Sequence, residues 1–315
     1  MPRIMKKIAK FIGYFLLSTV ILLLVLFVVF FQSDKSVEEL KPLYTNAESE
    51  FMPLMGMQVH FRDEGNAADA VPLLLIHGTS SSLNTFEAVV QRLKTKRRII
   101  SLDLPAFGLT GPNPENQYGF AYYNRFLDSF LTRLNVGVCD IAGNSLGGGI
   151  SWEFTVAYPE KVRKLILIDA TGYPSINTKG SLGFKLASTP VINNLLLYIT
   201  PKALVRKSLE GIYQDPAMIT EEQVTRFHDM AISAGNRKAL LSMFKSGRTQ
   251  DPGKISTITK PTLIIWGEND GLIPVSSAYL FKEHIKGSKL VVLPGIGHVP
   301  MEEAPDKVAD LIAGF

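Results

Sequence analysis

A serine bracketed by glycines constrains the fold of this chain more than any other feature of its sequence. An apolar run leads into Gly143-Asn-Ser-Leu-Gly147, and a helical pattern follows. On a sharp strand-to-helix turn, residues two positions on either side of the serine have little room for a Cβ, and Gly143 and Gly147 supply that clearance. Such a turn raises the Ser145 hydroxyl above the sheet edge and places the N–H of Leu146 beside it. The pattern predicts a nucleophile elbow, but Gly-x-Ser-x-Gly is common by chance, so the rest of the chain must support it.

The composition is that of a globular protein with a substantial core. The chain has 315 residues, of which 46% are hydrophobic and 20% are charged, and this excludes the disordered and fibrous classes. Its 33 basic and 29 acidic residues nearly balance, so nothing in the charge indicates nucleic-acid binding. Cys139 is the only cysteine, which excludes an internal disulfide and a cysteine metal cluster. It lies in an apolar run and is predicted to be an inert core residue.

Strand and helix patterns alternate along the first half of the chain after residue 50. Continuous apolar runs are typical of strands that are buried on both faces of a parallel sheet. The alternation therefore predicts an α/β fold, a mostly parallel sheet with helices on both faces and its active site at the carboxyl ends of the strands. The order is strand at 50–52 and 58–62, strand at 71–76, helix at 84–94, strand at 98–103, helix at 118–134, the strand before Ser145 with its helix, and strand at 164–169.

The stretch 172–258 departs from this alternation. It contains helical pieces separated by prolines, and strand patterns resume only at 261–266 and 289–293. We interpret it as a helical cap inserted into one domain that covers 50–315. Its section 191–198 is strongly apolar, which suits either a lipophilic substrate pocket or the face by which a cap helix packs on the main domain.

An acid and a histidine follow the last two predicted strands. Asp270 comes just after the strand at 261–266 and His298 just after the next, so both lie at carboxyl ends of strands. A serine hydroxyl is a poor nucleophile until a histidine takes its proton, and that histidine needs a carboxylate to hold its tautomer. The chain order Ser, Asp, His is the order that such an elbow requires. Three other acids could play the part of Asp270, which we prefer because it alone lies in the long loop before the strand that delivers His298; the rivals are Asp103, Asp169 and Glu268.

The other histidines are assigned structural or surface roles. His60, His228 and His284 lie in ordinary strand or helix contexts, which favours surface or hydrogen-bonded polar groups. His77 begins the His-Gly turn after a buried strand and is predicted to be structural. The backbone N–H of Thr79, in the same turn, is a candidate second oxyanion donor beside that of Leu146.

The N-terminus carries a membrane-anchor pattern. Residues 11–31 contain no charge and are long enough to cross a bilayer as a helix, and the basic segment 1–10 precedes them. A cleaved signal peptide is the alternative, but its apolar region is usually shorter and the small-residue cleavage pattern is missing. By the positive-inside rule, 1–10 is expected in the cytoplasm and the catalytic domain on the periplasmic, lumenal or external side. The polar, non-periodic stretch 32–49 is interpreted as a linker.

Five motifs in order show a resemblance to one family. From about residue 50 the chain resembles the α/β-hydrolase superfamily. The resemblance implies a catalytic triad of Ser145, Asp270 and His298, an oxyanion hole formed by the N–H groups of Thr79 and Leu146, and no metal or cofactor. The motifs are Leu74-Leu-Ile-His-Gly-Thr79, Asp103-Leu-Pro-Ala-Phe-Gly108, Gly143-Asn-Ser-Leu-Gly147, Trp266-Gly-Glu-Asn-Asp270 and Gly297-His-Val-Pro-Met-Glu-Glu303, with Ala106 where many relatives have glycine.

Within that superfamily the chain is similar to two groups. Asn144 and the run Thr79-Ser-Ser-Ser82 resemble both membrane-anchored esterases of the monoacylglycerol-lipase type and hydrolases that cleave carbon–carbon bonds of ring-fission products. A serine at the elbow argues against dehalogenases and epoxide hydrolases, which use an aspartate. We expect a membrane-anchored hydrolase of lipophilic carboxylic esters. The alternatives are a carbon–carbon bond hydrolase and a catalytically silent binding protein on the same fold.

Charge in the cap bears on the choice between the two reactions. Carbon–carbon substrates of this superfamily are anionic ketoacids, so their sites need cationic or amide groups. Val299 follows His298 where ring-fission hydrolases tend to carry a tryptophan. The cap does contain cationic side chains that could line a pocket, although solvated surface charges are the favoured interpretation: Lys185, Arg206, Arg226 and Arg248.

Overall fold

The computed structural model describes residues 2–174, 182–189, 192–246 and 250–315. These residues form an eight-stranded sheet in the order β1-β2-β4-β3-β5-β6-β7-β8. The pairs β1–β2 and β2–β4 are antiparallel, and the pairs from β4 onward in this order are parallel. The strands are β1 Ser49–Leu54, β2 Met57–Gly65, β3 Leu73–Ile76, β4 Arg98–Leu102, β5 Cys139–Asn144, β6 Val162–Ile168, β7 Thr262–Gly267 and β8 Lys289–Leu293.

Helices cover both faces of this sheet, which confirms the predicted α/β layers. On β3, Leu74 and Ile76 belong to one apolar cluster and Leu73 and Leu75 to the other, and all four are fully buried. A strand that is covered on both faces needs apolar side chains at every position, which is why 71–76 reads as a continuous run. The helices are α1 Pro2–Phe30, α2 Val37–Tyr44, α3 Glu87–Leu93, α4 Phe120–Arg133, α5 Leu146–Ala157, α6 Leu182–Ser188, α7 Lys202–Leu209, α8 Glu221–Ala231, α9 Asn236–Ser246, α10 Ser276–His284, α11 Pro300–Glu303 and α12 Pro305–Ala313.

The N-terminal helix α1 stands apart from the sheet. Within Met5–Phe30, the most apolar stretch of 18 residues has a mean hydropathy of 2.8 and none of that stretch is buried. Among the described residues, α1 is the one helix long and apolar enough to span a membrane. Phe27 and Phe31 contact the ring of Tyr198, with centroids 6.1 and 6.3 Å away. An exposed apolar surface of this length calls for a partner or a bilayer.

The segment after α1 differs from the expected linker. Residues 32–48, which we call the strap, run along the stretch between α8 and α9. Arg237 donates from Nε and Nη2 to Asp34 at 2.9 and 2.5 Å, and Lys35 Nζ pairs with Asp229 at 2.8 Å. Lys35 also exchanges backbone hydrogen bonds with this stretch. The strap therefore connects α1 to the helical segment formed by α6 to α9.

A short helix explains why the strap is ordered. Helix α2 begins with a capping box in which Ser36 and Glu39 satisfy each other's backbone N–H groups. Leu40 is fully buried. Apolar periodicity does not predict this helix, because its eight residues include Pro42 and bury only one side chain. The capping residues at its start are the one local signal for it.

Helices α6 to α9 lie in the chain between β6 and β7, above the carboxyl ends of the strands. The apolar section 191–198 is divided: Val191 lies outside the described residues, Leu196 lines a cavity, and Tyr198 packs on α1. Ile192 and Leu195 are exposed. Leu196 therefore agrees with the pocket interpretation, and Tyr198 packs on the N-terminal helix and not on the main domain.

Candidate active site

Ser145 lies at the turn between β5 and α5 in a strained backbone conformation. Its φ is 55° and its ψ is −116°, which a residue with a Cβ rarely adopts. A Cβ on Gly143 would overlap the carbonyl of Gly147, and one on Gly147 would overlap that of Ile76. The two glycines are therefore required by close backbone approach, and the turn has the geometry of a nucleophile elbow.

His298 and Asp270 form a buried pair next to this turn. His298 Nδ1 lies 2.7 Å from Asp270 Oδ2, and the two residues are 3% and 7% exposed. Asp270 Oδ1 accepts hydrogen bonds from the N–H groups of Leu272 at 2.7 Å and Ile273 at 2.9 Å. These bonds hold the carboxylate in place, so that it can fix the orientation of the imidazole ring.

A small cavity brings the predicted residues together. Ser145, His298 and Thr79 all line it. Leu146 is the first residue of α5, and the first N–H groups of a helix have no partner within the helix. A Cβ on Gly78 would lie 3.2 Å from Ser145 Cβ, so the loop that carries Thr79 runs directly against the elbow. The arrangement can offer an oxyanion two backbone donors beside a serine.

A larger cavity adjoins the first one, between α6 to α9 and the sheet. Its walls are mainly apolar, with Leu204, Leu240 and Met230 among them. The two cavities have common walls and together form a site with a polar end and an apolar end. The residues that line both are Thr79, Ser81, Phe184, Ile212 and Phe227.

The rival acids lie in different surroundings. Asp103 Oδ2 contacts His60 Nδ1 at 2.7 Å, and its carboxylate accepts from the N–H of Leu83 and of Leu109 at 2.8 Å each, so it braces a turn. Glu268 is exposed. Asp169 is fully buried beside Asp270. Of the four acids, Asp270 is the one whose carboxylate lies at hydrogen-bond distance from the ring of His298.

His77 has the arrangement expected of a structural residue. Its Nδ1 lies 2.7 Å from the carbonyl oxygen of Gly78, and its Nε2 accepts from the N–H of Leu104 at 3.0 Å. Complete burial lowers the pKa of His77, which keeps the ring neutral. It ties the loop after β3 to the loop after β4.

Three side chains support the site. Asn144 Nδ2 donates to the carbonyl oxygen of His298 at 3.1 Å, and Glu303 accepts from the N–H of Gly297 at 2.9 Å. Both lie in motifs that the sequence analysis singled out without giving them this role. Arg237, which lines the larger cavity and binds the strap, was missed because its partner Asp34 is 203 residues away in the chain.

The cationic side chains of the cap are engaged or exposed. Arg226 pairs with Glu302 at 2.8 Å and Arg206 with Glu221 at 2.5 Å. Lys185 is exposed, and Arg248 lies outside the described residues.

Comparison with known proteins places this arrangement in a family. The model of the alpha/beta hydrolase family matches residues 73–311. The chain belongs to the alpha/beta hydrolase family. The match spans every strand from β3 to β8 and all three residues of the candidate triad.

Relatives within the family catalyse more than one reaction. Lipase 1 of Psychrobacter immobilis is 28% identical over 264 residues, which is 82% of this chain and 81% of the lipase. The 2-hydroxymuconate semialdehyde hydrolase of Pseudomonas putida is 25% identical over 269 residues, 82% of this chain and 91% of that enzyme. Among solved structures, a membrane phospholipase A superposes with a TM-score of 0.74 at 22% identity and covers 96% of this chain and 98% of its own.

Proposed function

We propose that this alpha/beta hydrolase is a membrane-anchored serine esterase that acts on carboxylic esters with apolar acyl chains, such as acylglycerols. Ser145 is the nucleophile, His298 the general base and Asp270 the acid that orients it. The observation that carries the proposal is the joining of a serine–histidine pocket to a large apolar cavity. The proposal invokes no metal, cofactor or nucleic acid.

The mechanism follows from the hydrogen bonds of the histidine. With Nδ1–H donated to Asp270, the Nε2 atom is free to take the proton of Ser145 as its Oγ attacks the acyl carbonyl. The oxyanion of the tetrahedral intermediate accepts from the N–H groups of Thr79 and Leu146. His298 returns the proton to the leaving alkoxide and an acyl-enzyme forms. The same base then activates a water molecule, whose attack releases the acid and restores Ser145.

The apolar cavity suits an acyl chain. It is built from aliphatic and aromatic side chains of the helical segment, and burying each methylene in such surroundings contributes up to about 0.8 kcal/mol. A lipase among the relatives supports the same substrate class.

Ester hydrolysis is favoured over carbon–carbon hydrolysis by the charges around the site. An anionic ketoacid needs an unengaged cation in its pocket. The described cap arginines discussed above pair with carboxylates. Arg237, which lines the cavity, pairs with Asp34 through Nε and Nη2, and its buried Nη1 has no partner among the described residues. Its positive charge is therefore neutralised by a carboxylate before any substrate binds. The relative that acts on 2-hydroxymuconate semialdehyde keeps the carbon–carbon reaction as the second candidate.

Membrane anchoring is supported by α1. None of its apolar window is buried, and four basic residues, Arg3, Lys6, Lys7 and Lys10, lie at its start. The match to the membrane phospholipase A covers more of this chain than residues after 50 could supply alone. We therefore place the N-terminus in the cytoplasm and the catalytic domain on the periplasmic, lumenal or external side.

A chain-length series tests the substrate class. The full chain, purified in detergent micelles, should hydrolyse p-nitrophenyl acyl esters with kcat/KM rising from acetate toward medium chains by up to about fourfold per methylene. Leu240→Trp, in the cavity wall, should remove the preference for longer chains because it fills the acyl space. Leu280→Trp, on the exposed side of α10, is the matched control and should keep it.

The competing reaction is measured with the same preparation. Bleaching of a coloured ring-fission dienoate should be negligible. Rapid bleaching together with negligible ester turnover would show that the protein is a carbon–carbon bond hydrolase and not an esterase.

A further inference from the structure

Two buried carboxyl groups lie beside each other at the ends of β6 and β7. Asp169 is completely buried and Asp270 is 7% exposed. One carboxyl oxygen of each, together with a ring nitrogen of His298, lie within 4.8 Å of one another. Two carboxylates so close in a buried site repel each other strongly, so one of them holds a proton.

The hydrogen bonds decide which of the two is protonated. Asp270 accepts two backbone N–H groups and lies against His298 Nδ1, three interactions that stabilise an anion. Asp169 accepts one, from the N–H of Gly267 to Oδ1 at 2.9 Å. Asp169 Oδ2 is buried, and none of the described residues donates a hydrogen bond to it. If Oδ2 carries a hydrogen, it can itself donate to a neighbouring carboxylate. The proton therefore belongs on Asp169.

The surroundings of Asp169 agree with this assignment. Burial, and then the negative charge of Asp270, raise the pKa of Asp169 well above its ordinary value. Glu303 also faces this cluster, and its own carboxylate accepts N–H groups from Gly297 and Gln214. Asp169 has a left-handed φ of 44°, a conformation that costs energy and is found at functional sites.

We propose that Asp169 is a positioning residue whose carboxylic acid donates an Oδ2–H hydrogen bond to the carboxylate of Asp270. The bond fixes the carboxylate that orients His298 and takes up part of its negative charge. The inference rests on the triad proposed above. It explains why an acid can lie next to the triad acid without competing with it.

The proposal separates two substitutions that otherwise look alike. Asp169→Asn keeps a neutral group with an N–H donor for Asp270 and a carbonyl for Gly267. Asp169→Val removes the donor and leaves more negative charge on Asp270, which holds the imidazolium more strongly. The acidic limb of the kcat/KM profile should then move to higher pH.

The test uses the full chain in detergent micelles with p-nitrophenyl butyrate. We expect Asp169→Val to lower kcat about tenfold. Asp169→Asn should leave the acidic limb in place and keep most of the kcat that Asp169→Val loses. KM should be unchanged in both variants. If Asp169 were ionised instead, Asp169→Asn would remove a negative charge and move the limb to lower pH. That result would overturn the proposal.

Infrared spectroscopy reads the proton without relying on turnover. The difference spectrum between wild type and Asp169→Asn at neutral pH should contain the C=O stretch of a protonated carboxylic acid, and the subtraction removes any band from Glu303. A carboxylate band in its place would show that Asp169 is ionised and the proposal wrong. Because this measurement needs no substrate, it still decides the proton if the esterase proposal itself fails.

Discussion

At the scale of single residues, the hydrogen bond between Asp270 and His298 has a large predicted effect on turnover. Asp270→Asn replaces the acceptor by an amide that favours the wrong tautomer of the ring. We expect kcat for ester hydrolysis to fall on the order of 10⁴-fold while the fold stays intact, as measured by turnover and thermal unfolding in micelles.

Asp169→Asn is the comparison for this substitution, since it changes the neighbouring acid in the same way. A larger loss in Asp169→Asn than in Asp270→Asn would show that the triad acid was assigned to the wrong strand end.

Local sequence identified the residues of the candidate site but not all of their neighbours. Ser145, Asp270 and His298 were found because each follows a buried strand, and the structure brings them to one edge of the sheet. Their catalytic roles stay predictions. The contact of Asp169 with Asp270 was not foreseen, because it depends on β6 and β7 being neighbours in the sheet, and their order is not written in either motif.

At the scale of elements, the strap gives a prediction that does not involve the triad. Asp34→Ala would leave the guanidinium of Arg237, which is 7% exposed, without its carboxylate. We expect the free energy of unfolding of the full chain to fall by about 1–3 kcal/mol, because a buried charged donor loses its partner. Because Arg237 also lines the larger cavity, KM for long-chain esters should rise more than KM for acetate.

Lys207→Gln is the matched control for the strap, since it breaks an exposed ion pair with Glu210 on the same helical segment. Its effect on unfolding should stay below about 0.5 kcal/mol. Equal stability of the two variants would contradict a structural role for the strap.

The strands were predicted closely and the strap was not, for a physical reason. The runs at 98–103 and 289–293 match β4 and β8 to within a residue, and β4 is buried over all but its first position. Helix α2 buries one leucine and is stabilised by its capping box and by contacts that are distant in sequence. Patterns of apolar residues report burial on a large core, and they carry little information about a short helix that docks on another element.

At the scale of the whole molecule, the anchor predicts how the protein behaves in membranes. Since residues 11–30 of α1 carry no charge and are long enough to cross a bilayer, the full chain should stay in the membrane pellet through high salt and carbonate. The basic N-terminal segment is expected to stay in the cytoplasm and so to set the orientation of α1. The bilayer should then shield the catalytic domain from protease added on the cytoplasmic side.

Protease added from the opposite side is the control for this topology and should digest the catalytic domain. Digestion from the cytoplasmic side alone would show that the orientation is the reverse of the one proposed. Release by carbonate would show that α1 does not anchor the protein in the membrane.

Fluorophosphonate labelling of the full chain in its membrane tests whether Ser145 is the nucleophile of a serine hydrolase. We expect one covalent adduct, located on Ser145 by peptide mass spectrometry. Ser145→Ala should abolish the adduct and lower ester turnover by several orders of magnitude, while Ser256→Ala, at an exposed serine, should change neither. Undiminished labelling of Ser145→Ala, or an adduct on another residue, would contradict the assignment of Ser145.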